Sequence, residues 1–350
     1  MIIRWTHDDG FPATMVDDRL AEVARELLRA HRRGHHLAVM DRDVARAIGS
    51  MDLSNKDKSL ASRLGQEFTQ TRNVHNSSKV YIEIINSFEK IVNVSDCCVK
   101  VSLGAAVESK IFDPCALIVE DISSDGWLFE LIFNTVSKRS SARKFDYELI
   151  HGGGQNANHV VKNTLKNRRI TVAIIDSDKS SPLCSTEKKE KAFSELYKAS
   201  GWGIGKTFLT PCRELENFVP NDILRILPSG ILNKANEYYL NISSAEEAGG
   251  VKASDKLEMY ADFKSGIQML PCKLNKDAAS WMSERLKLAC LDETLNIPGY
   301  GEKVIDQIKA DGSLISEFVA AIRSKSWQDK FSSFFEEVLW YFVSNGPLRT

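Results

Sequence analysis

The chain has 350 residues, 43% of them hydrophobic, with 46 Lys and Arg against 47 Asp and Glu for a net charge of -1. That composition describes a folded protein able to bury a sizeable core in two or three domains, and it carries no overall signature of a polyanion binder, so any basic surface must be local. No apolar run approaches the ~18 residues of a membrane span and the amino terminus lacks a signal-peptide layout, which predicts a cytoplasmic chain with no membrane partner.

In chain order, Val16, Leu20, Val23, Ala24, Leu27 and Leu28 recur at helical spacing, and HLAVMD followed by RDVARAI predicts a short strand and a second helix. A polar Ser/Asn/Lys-rich stretch from Ser50 to Ser59 leads to a helical segment near Ser59 to Gln70 and an apolar one near Val80 to Val94. Residues 1–108 therefore read as a mainly helical region without a functional motif.

Residues 109–225 alternate. Strand-like runs at Ala116 to Val119, Phe145 to Ile150, Ile170 to Ile175 and Lys206 to Leu209 are separated by helix-like stretches near Ser124 to Val136, Asn156 to Lys166 and Thr186 to Ala199. This pattern predicts an α/β fold, a parallel sheet with helices on both faces, with right-handed crossovers placing the strand ends on one edge. Residues 226–350 read as helical, ending in an aromatic stripe of Trp327, Phe331, Phe334, Phe335, Val338, Leu339 and Phe342 that is expected to pack in a core or an interface.

Acids gather where these strands end. Glu120 and Asp121 close the first, with Asp125 just beyond; Asp176 and Asp178 close the third, followed by Lys179; Glu214 and Glu216 follow the fourth. Alternate residues of an extended segment point the same way, so Asp176 and Asp178, and likewise Glu214 and Glu216, are expected to face one crevice in pairs. Like-charged carboxylates held so close need a cation, and hard oxygen donors suit Mg²⁺ or Mn²⁺. The structural alternative for each cluster is a helix cap or a plain strand end.

Other signals are local. Between Lys138 and Arg169 stand eight basic residues (Lys138, Arg139, Arg143, Lys144, Lys162, Lys166, Arg168 and Arg169) against only Asp146 and Glu148, enough to hold phosphates if they share a surface with the acids. GWGIGKT, Gly201 to Thr207, is excluded as a phosphate loop because Ser200 stands where its first glycine belongs and a strand follows. IPGYGEKVIDQI has the turn of a helix-hairpin-helix, although an ordinary inter-helix turn explains it as well. Seven cysteines, an odd number with no C-x-x-C pair, point to free thiols and away from zinc.

The acidic motifs together resemble a TOPRIM domain, above all the version in OLD-type nucleases of bacterial phage defence. The resemblance rests on Val119-Glu120-Asp121, Gly152-Gly153-Gly154, Asp176-Ser177-Asp178 and Glu216-Asn217-Phe218 and spans roughly Pro114 to Pro220. It departs from the family in that Asp121 replaces a glycine and Asp125 lies five residues beyond Glu120 rather than four. It implies a TOPRIM-like sheet and Mg²⁺- or Mn²⁺-dependent cleavage of nucleic acid by two-metal catalysis, with DNA preferred over RNA. Glu120 and Asp176 would hold one metal, Asp178 and Glu216 the second, with Asp121, Asp125 and Glu214 as further acids. Lys179 would neutralise the phosphate, and Lys144, Lys162, Lys166, Arg168 and Arg169 would bind the nucleic acid. No Walker A motif occurs, so the ABC-type ATPase common in that group would be a separate polypeptide; a homo-oligomer is compatible with all of this.

Two other readings stay open. VAIIDSDKS also resembles the Asp-x-Asp of haloacid-dehalogenase-type phosphatases, with Asp176 as nucleophile and Asp178 as acid/base. The third reading is a catalytically silent TOPRIM-like interaction module that works through its aromatic carboxyl-terminal helix.

Overall fold

The computed structural model describes residues 1–7, 18–95, 97–137, 144–227, 232–268, 276–292 and 295–348. Lys138, Arg139 and Arg143, three of the basic residues noted above, lie outside them.

The first hundred residues are organised by a sheet, which the expectation of a mainly helical region did not include. Strands β1 (Ile2–Trp5), β2 (Leu37–Met40), β3 (Tyr81–Ile85), β4 (Val92–Val94) and β5 (Cys98–Ser102) form a five-stranded sheet in the order β2-β1-β3-β5-β4, parallel except for the edge strand β4. Helices α1 (Asp18–Arg33), α2 (Arg42–Ser50) and α3 (Asn55–Thr71) supply more residues than the strands do. The apolar stretch at Val80 to Val94 breaks in two: Ile82 and Ile84 of β3 point inward at strand period, and β4 is an exposed edge.

Helix α4 (Leu103–Val107) leads into the second sheet. This sheet contains β6 (Cys115–Val119), β8 (Tyr147–His151), β9 (Thr171–Ile175) and β10 (Gly205–Leu209), all parallel, in the order β10-β9-β6-β8. Between β6 and β8 come α5 (Trp127–Ser137) and the two-residue β7 (Lys144–Phe145). Then α6 (Ala157–Lys166) and α7 (Glu187–Ala199) make the next two crossovers. Because the chain steps from β6 out to β8 and then back past β6 to β9, right-handed crossovers put α5 on one face and α6 with α7 on the other. β6 and β9 are buried at every position, which is why they read as unbroken apolar runs.

The remainder is mainly helical: α8 (Asn221–Ile226), α9 (Leu232–Ala248), α10 (Lys276–Leu288), α11 (Val304–Ala310), α12 (Gly312–Ala321) and α13 (Lys325–Leu339). Two small antiparallel pairs complete it, β11 (Gly266–Ile267) with β12 (Ile297–Pro298), and β13 (Val343–Ser344) with β7. IPGYGEKVIDQI is thus a strand, a turn and α11, not two helices around a hairpin.

The aromatic stripe of α13 is interior. Phe335 lies 6.0 Å from Phe133 and 6.3 Å from Phe129 of α5, Phe331 lies 4.9 Å from Phe218, and Trp327 Nε1 donates to the Phe218 carbonyl at 2.8 Å. One continuous hydrophobic cluster runs from Met1 to Phe342 and joins both sheets to the carboxyl-terminal helices. No disulfide joins any two of the six described cysteines, and no described helix is long and apolar enough to cross a membrane.

Candidate functional site

The strand order reverses between β6 and β9, and a crevice at such a switch point, past the carboxyl ends of the strands, is where open α/β sheets bind ligands. Glu120 leaves β6 and Asp176 leaves β9 on either side of it, and the Asp176 backbone N–H donates to Glu120 Oε1 at 3.3 Å. Glu120 is fixed from behind by the predicted glycine turn. Gly152 N–H donates to the Val119 carbonyl at 2.7 Å and Gly153 N–H to the Glu120 carbonyl at 3.1 Å. A Cβ on Gly152 would stand 2.7 Å from the Val119 carbonyl oxygen, so the close approach requires glycine.

The segment after β9 is stitched to the segment after β10. Ser177 N–H donates to Thr210 Oγ1 at 2.9 Å, Ser177 Oγ to the Cys212 carbonyl at 2.5 Å, and Asp178 N–H to the Arg213 carbonyl at 3.0 Å. Asp178 adopts φ +58°, in the left-handed region, so the extended alternation expected of Asp176 and Asp178 is broken there. Its side chain is 76% exposed and pairs with Lys189 of α7 at 2.7 Å, while Asp176 stays in the crevice. Lys189 also donates to the Asp176 carbonyl at 2.6 Å.

Glu214 and Glu216 do face one way, though not as a strand. A 3₁₀ turn at Leu215–Phe218 follows Glu214, and both carboxylates reach Lys264, whose Nζ lies 3.1 Å from Glu216 Oε2 and 3.7 Å from Glu214 Oε2. The turn also holds the segment that delivers this lysine. Asn217 Nδ2 donates to the carbonyls of Glu258 at 2.8 Å and Ala261 at 3.0 Å, Arg213 N–H to that of Met259 at 2.8 Å, and Phe263 N–H to Glu214 Oε1 at 2.9 Å.

The electrostatics unite these acids. Burial, then the charges of Glu120 and Asp125, push Asp176 up to about 8, with Glu216 adding to the rise and Lys264 opposing it. Burial and Glu216 lift Glu214 to about 7. Burial likewise raises Glu216 and Asp125, and Asp125 and Lys264 are among the charges that Glu216 feels. Burial works against the charge on Lys264, yet Glu216 and Glu214 hold it above the ordinary lysine range. Five acids and one lysine thus form a single electrostatic unit of Glu120, Asp125, Asp176, Glu214, Glu216 and Lys264.

Asp121 faces solvent at the edge of this unit, where its charge adds to the rise of Asp125. The exposed Asp121 carboxylate caps the turn before α5, accepting from Ser123 N–H and Ser123 Oγ, each at 2.6 Å, and from Ser124 N–H at 3.4 Å, and the Ser123 hydroxyl heads the causes that lower its pKa. Asp125 folds back over this turn, its Oδ2 accepting from Asp121 N–H at 3.0 Å. Lys179 is half-buried at the strand exit, its backbone N–H 3.3 Å from Ser177 Oγ.

The predicted nucleic-acid-binding residues lie elsewhere. Arg168 and Arg169 precede β9, whose five residues at ~3.3 Å each put roughly 17 Å between them and Asp176. Their charges are already engaged, Arg168 with Glu108 at 3.0 Å and Arg169 with Glu148 at 2.6 Å. Lys144 stands at the same far edge before β8, Lys166 at the end of α6 that runs down to it, and Lys162 is exposed one turn earlier. Among the cations near the rim are Lys179 and Lys189, already described, and from later in the chain Lys264, Arg213, 3.2 Å from Asp262, and Lys309 of α11, whose Nζ donates to the Ser123 carbonyl at 3.1 Å.

The site fits a hard divalent cation in donor chemistry. All its donors are carboxylate oxygens, and the buried Glu216 Oε2 has Lys264 Nζ beside it at 3.1 Å. Among the described residues no three acids are already converged at coordinating spacing. A cavity of about 230 Å³ lined by Asp178, Arg213, Tyr260 and Asp262 opens beside the rim. A larger one of about 870 Å³ lies between β4, α7, β10 and α13, walled by Val94, Phe193, Trp202 and Phe208, and is remote from this chemistry. No protein-family model, curated protein or solved structure matches the chain.

Proposed function

We propose that this chain is a metal-dependent nuclease of TOPRIM-like type, cleaving phosphodiester bonds with Mg²⁺ or Mn²⁺ held by Glu120, Asp125 and Asp176. One observation carries the reading: the switch-point crevice gathers five mutually repelling carboxylates, Glu216 buried and Glu120, Asp125, Asp176 and Glu214 half-buried, with Lys264 paired to two of them, so the metal-free site is short of positive charge. Bound there, a divalent ion supplies Lewis-acid stabilisation of a phosphate and a water acidified for attack. The chain's own contribution is electrostatic and positional. Asp176 and Glu120 would hold the ion as carboxylates, Glu120 is oriented by the glycine turn, and Lys264, Lys309 and Arg213 bring positive charge to the rim where a phosphate backbone would lie. The DNA preference, the separately encoded ABC-type ATPase and a role in antiviral defence enter this proposal through the motif resemblance alone.

Neither alternative gains support from the geometry. A haloacid-dehalogenase-type phosphatase needs Asp178 beside Asp176 as acid/base, whereas Asp178 turns out to Lys189; an interaction module needs the α13 aromatics on a surface, whereas Trp327, Phe331 and Phe335 are buried and Phe334 is half-buried. The test is incubation of the purified protein with plasmid and single-stranded DNA in Mg²⁺ or Mn²⁺, beside a Glu120→Gln/Asp176→Asn variant. Metal-dependent cleavage lost in the variant is expected. Release of phosphate from a small phosphomonoester without any polynucleotide cleavage would overturn the reading in favour of the phosphatase.

A further inference from the structure

We propose that Lys264 stands in for a second divalent ion, so that the centre works with one bound metal and one fixed ammonium. This rests on the metal-dependent reading above and replaces its two-metal form. The acids divide into two groups. Glu120, Asp125 and Asp176 surround the switch point, whereas Glu214 and Glu216 beyond β10 are already occupied by Lys264 Nζ at 3.7 and 3.1 Å. These latter two, with Asp178, are where the second metal would otherwise be sought, and Asp178 has turned away to Lys189.

Lys264 is built into this position and is not a surface side chain that has fallen onto two acids. Its backbone runs between the 3₁₀ turn and the β11/β12 pair. On one side Phe263 N–H donates to Glu214 Oε1 at 2.9 Å; on the other, Tyr300 N–H donates to the Phe263 carbonyl at 2.6 Å and Gly301 N–H to the Lys264 carbonyl at 3.0 Å. Gly299 packs so closely that a Cβ there would stand 2.3 Å from the Lys264 carbonyl oxygen, and Gly266, two residues on, needs φ +87° to make the turn. The same carboxylate, Glu214, thus accepts from the backbone of the segment and faces its ammonium, which fixes the lysine relative to the acids it neutralises. A second divalent ion on Glu214 and Glu216 would have to share their oxygens with a cation the backbone holds in place. Like charges at that spacing exclude one another. An ammonium there can stabilise charge on a phosphate or leaving oxygen, as a second ion does, without a metal.

Counting bound ions tests this. The full chain, stripped with chelator, is titrated with Mn²⁺ by calorimetry and by the loss of the free-ion electron paramagnetic resonance signal. One ion per chain is expected. Two ions in the wild type would overturn the role of Lys264 while leaving the metal reading intact; no binding would overturn both. A folded Lys264→Met variant is expected to gain a second, weaker ion, and a count unchanged at one would refute the substitution of lysine for metal. Should that variant fail to fold, Glu214→Gln gives an independent check. It is expected to keep one ion, and a fall to zero would show that the single metal sits on the Glu214 side and overturn the assignment.

Discussion

Asp176→Asn is expected to stabilise the metal-free protein. An exposed aspartate titrates near 3.8, but burial with Glu120 and Asp125 alongside holds Asp176 at about 8. At neutral pH the folded chain therefore keeps a proton that the unfolded chain has released, and holding it costs on the order of 4 kcal/mol at pH 7. The sign follows from linkage. A carboxyl whose folded pKa is raised contributes no penalty below its unfolded value, and the folded state loses stability as pH rises from about 4 towards about 8, then levels off. The neutral, nearly isosteric Asn removes that loss. For a chain of this length, ~4 kcal/mol corresponds to a rise of roughly 5–8 °C in melting temperature. The assay is thermal unfolding in chelator from pH 5 to 8.5, read by circular dichroism. The variant is expected to gain on the wild type as pH increases, and saturating Mn²⁺ is expected to close or reverse the gap, because only the wild type keeps the complete acid set. A variant no more stable than the wild type at any pH would refute the claim that the crevice holds uncompensated acids.

Three further outcomes follow from the same geometry. Asp178→Asn is expected to change metal-dependent cleavage by no more than a few-fold, whereas Glu120→Gln removes at least ~100-fold, on the scale of losing a metal-supporting ligand; the reverse order in a plasmid-nicking assay would contradict the crevice as drawn. Arg168→Ala/Arg169→Ala should leave the salt dependence of DNA binding unchanged, and Lys309→Ala should flatten it by about one phosphate contact, both measured by fluorescence anisotropy against salt concentration. Gly152→Ala should lower activity more than stability, since its Cβ would press on the Val119 carbonyl and displace Glu120, which a comparison of cleavage rate with melting temperature resolves.

What the sequence made legible is what local pattern determines. β6 and β9 fall within one residue of the apolar runs that announce them, because buried parallel strands are continuous in their apolarity, and the acids at their ends follow at once. Asp178 was not legible. Its left-handed backbone is set by Ser177 bonding to Thr210 and Cys212, and its rotamer by Lys189, so the alternation argument failed where a loop is anchored by tertiary contacts. Of the first sheet only the short strand in HLAVMD was legible; β1 is a four-residue strand, and β3 and β4, five and three residues long, lie within one apolar stretch that reads as a single element, with the five-residue β5 just beyond it. Arg168 and Arg169 of the basic stretch stand across the full length of β9 from Asp176, because nearness in sequence does not say at which end of a strand a residue falls. Lys264 carried no motif, but one clue existed in the Asn of Glu216-Asn217. A buried amide needs acceptors, and those it found, the carbonyls of Glu258 and Ala261, belong to the segment that brings the lysine in.

That last contact bears on where the functional unit ends. A boundary near residue 225 separates a sheet from helices, yet the site ignores it. Glu214 and Glu216 before it are neutralised by Lys264 after it, Phe218 before it packs on Phe331 at 4.9 Å and Phe335 at 5.1 Å, and Lys309 reaches back to Ser123. A chain ending at Leu227 would leave two half-buried to buried carboxylates without their cation and strip one wall from the Phe129, Phe133 and Phe218 cluster. Truncating a single buried Phe costs ~3–5 kcal/mol, and uncovering three at once, roughly 9–15 kcal/mol, is comparable to the ~5–15 kcal/mol that holds a typical fold together. Such a fragment is expected to lack fixed aromatic packing and to bind no Mn²⁺ stoichiometrically, measured by near-ultraviolet circular dichroism and the same ion titration. A folded, metal-binding fragment would show instead that the sheet and its acids suffice, and that the later helices serve some other purpose.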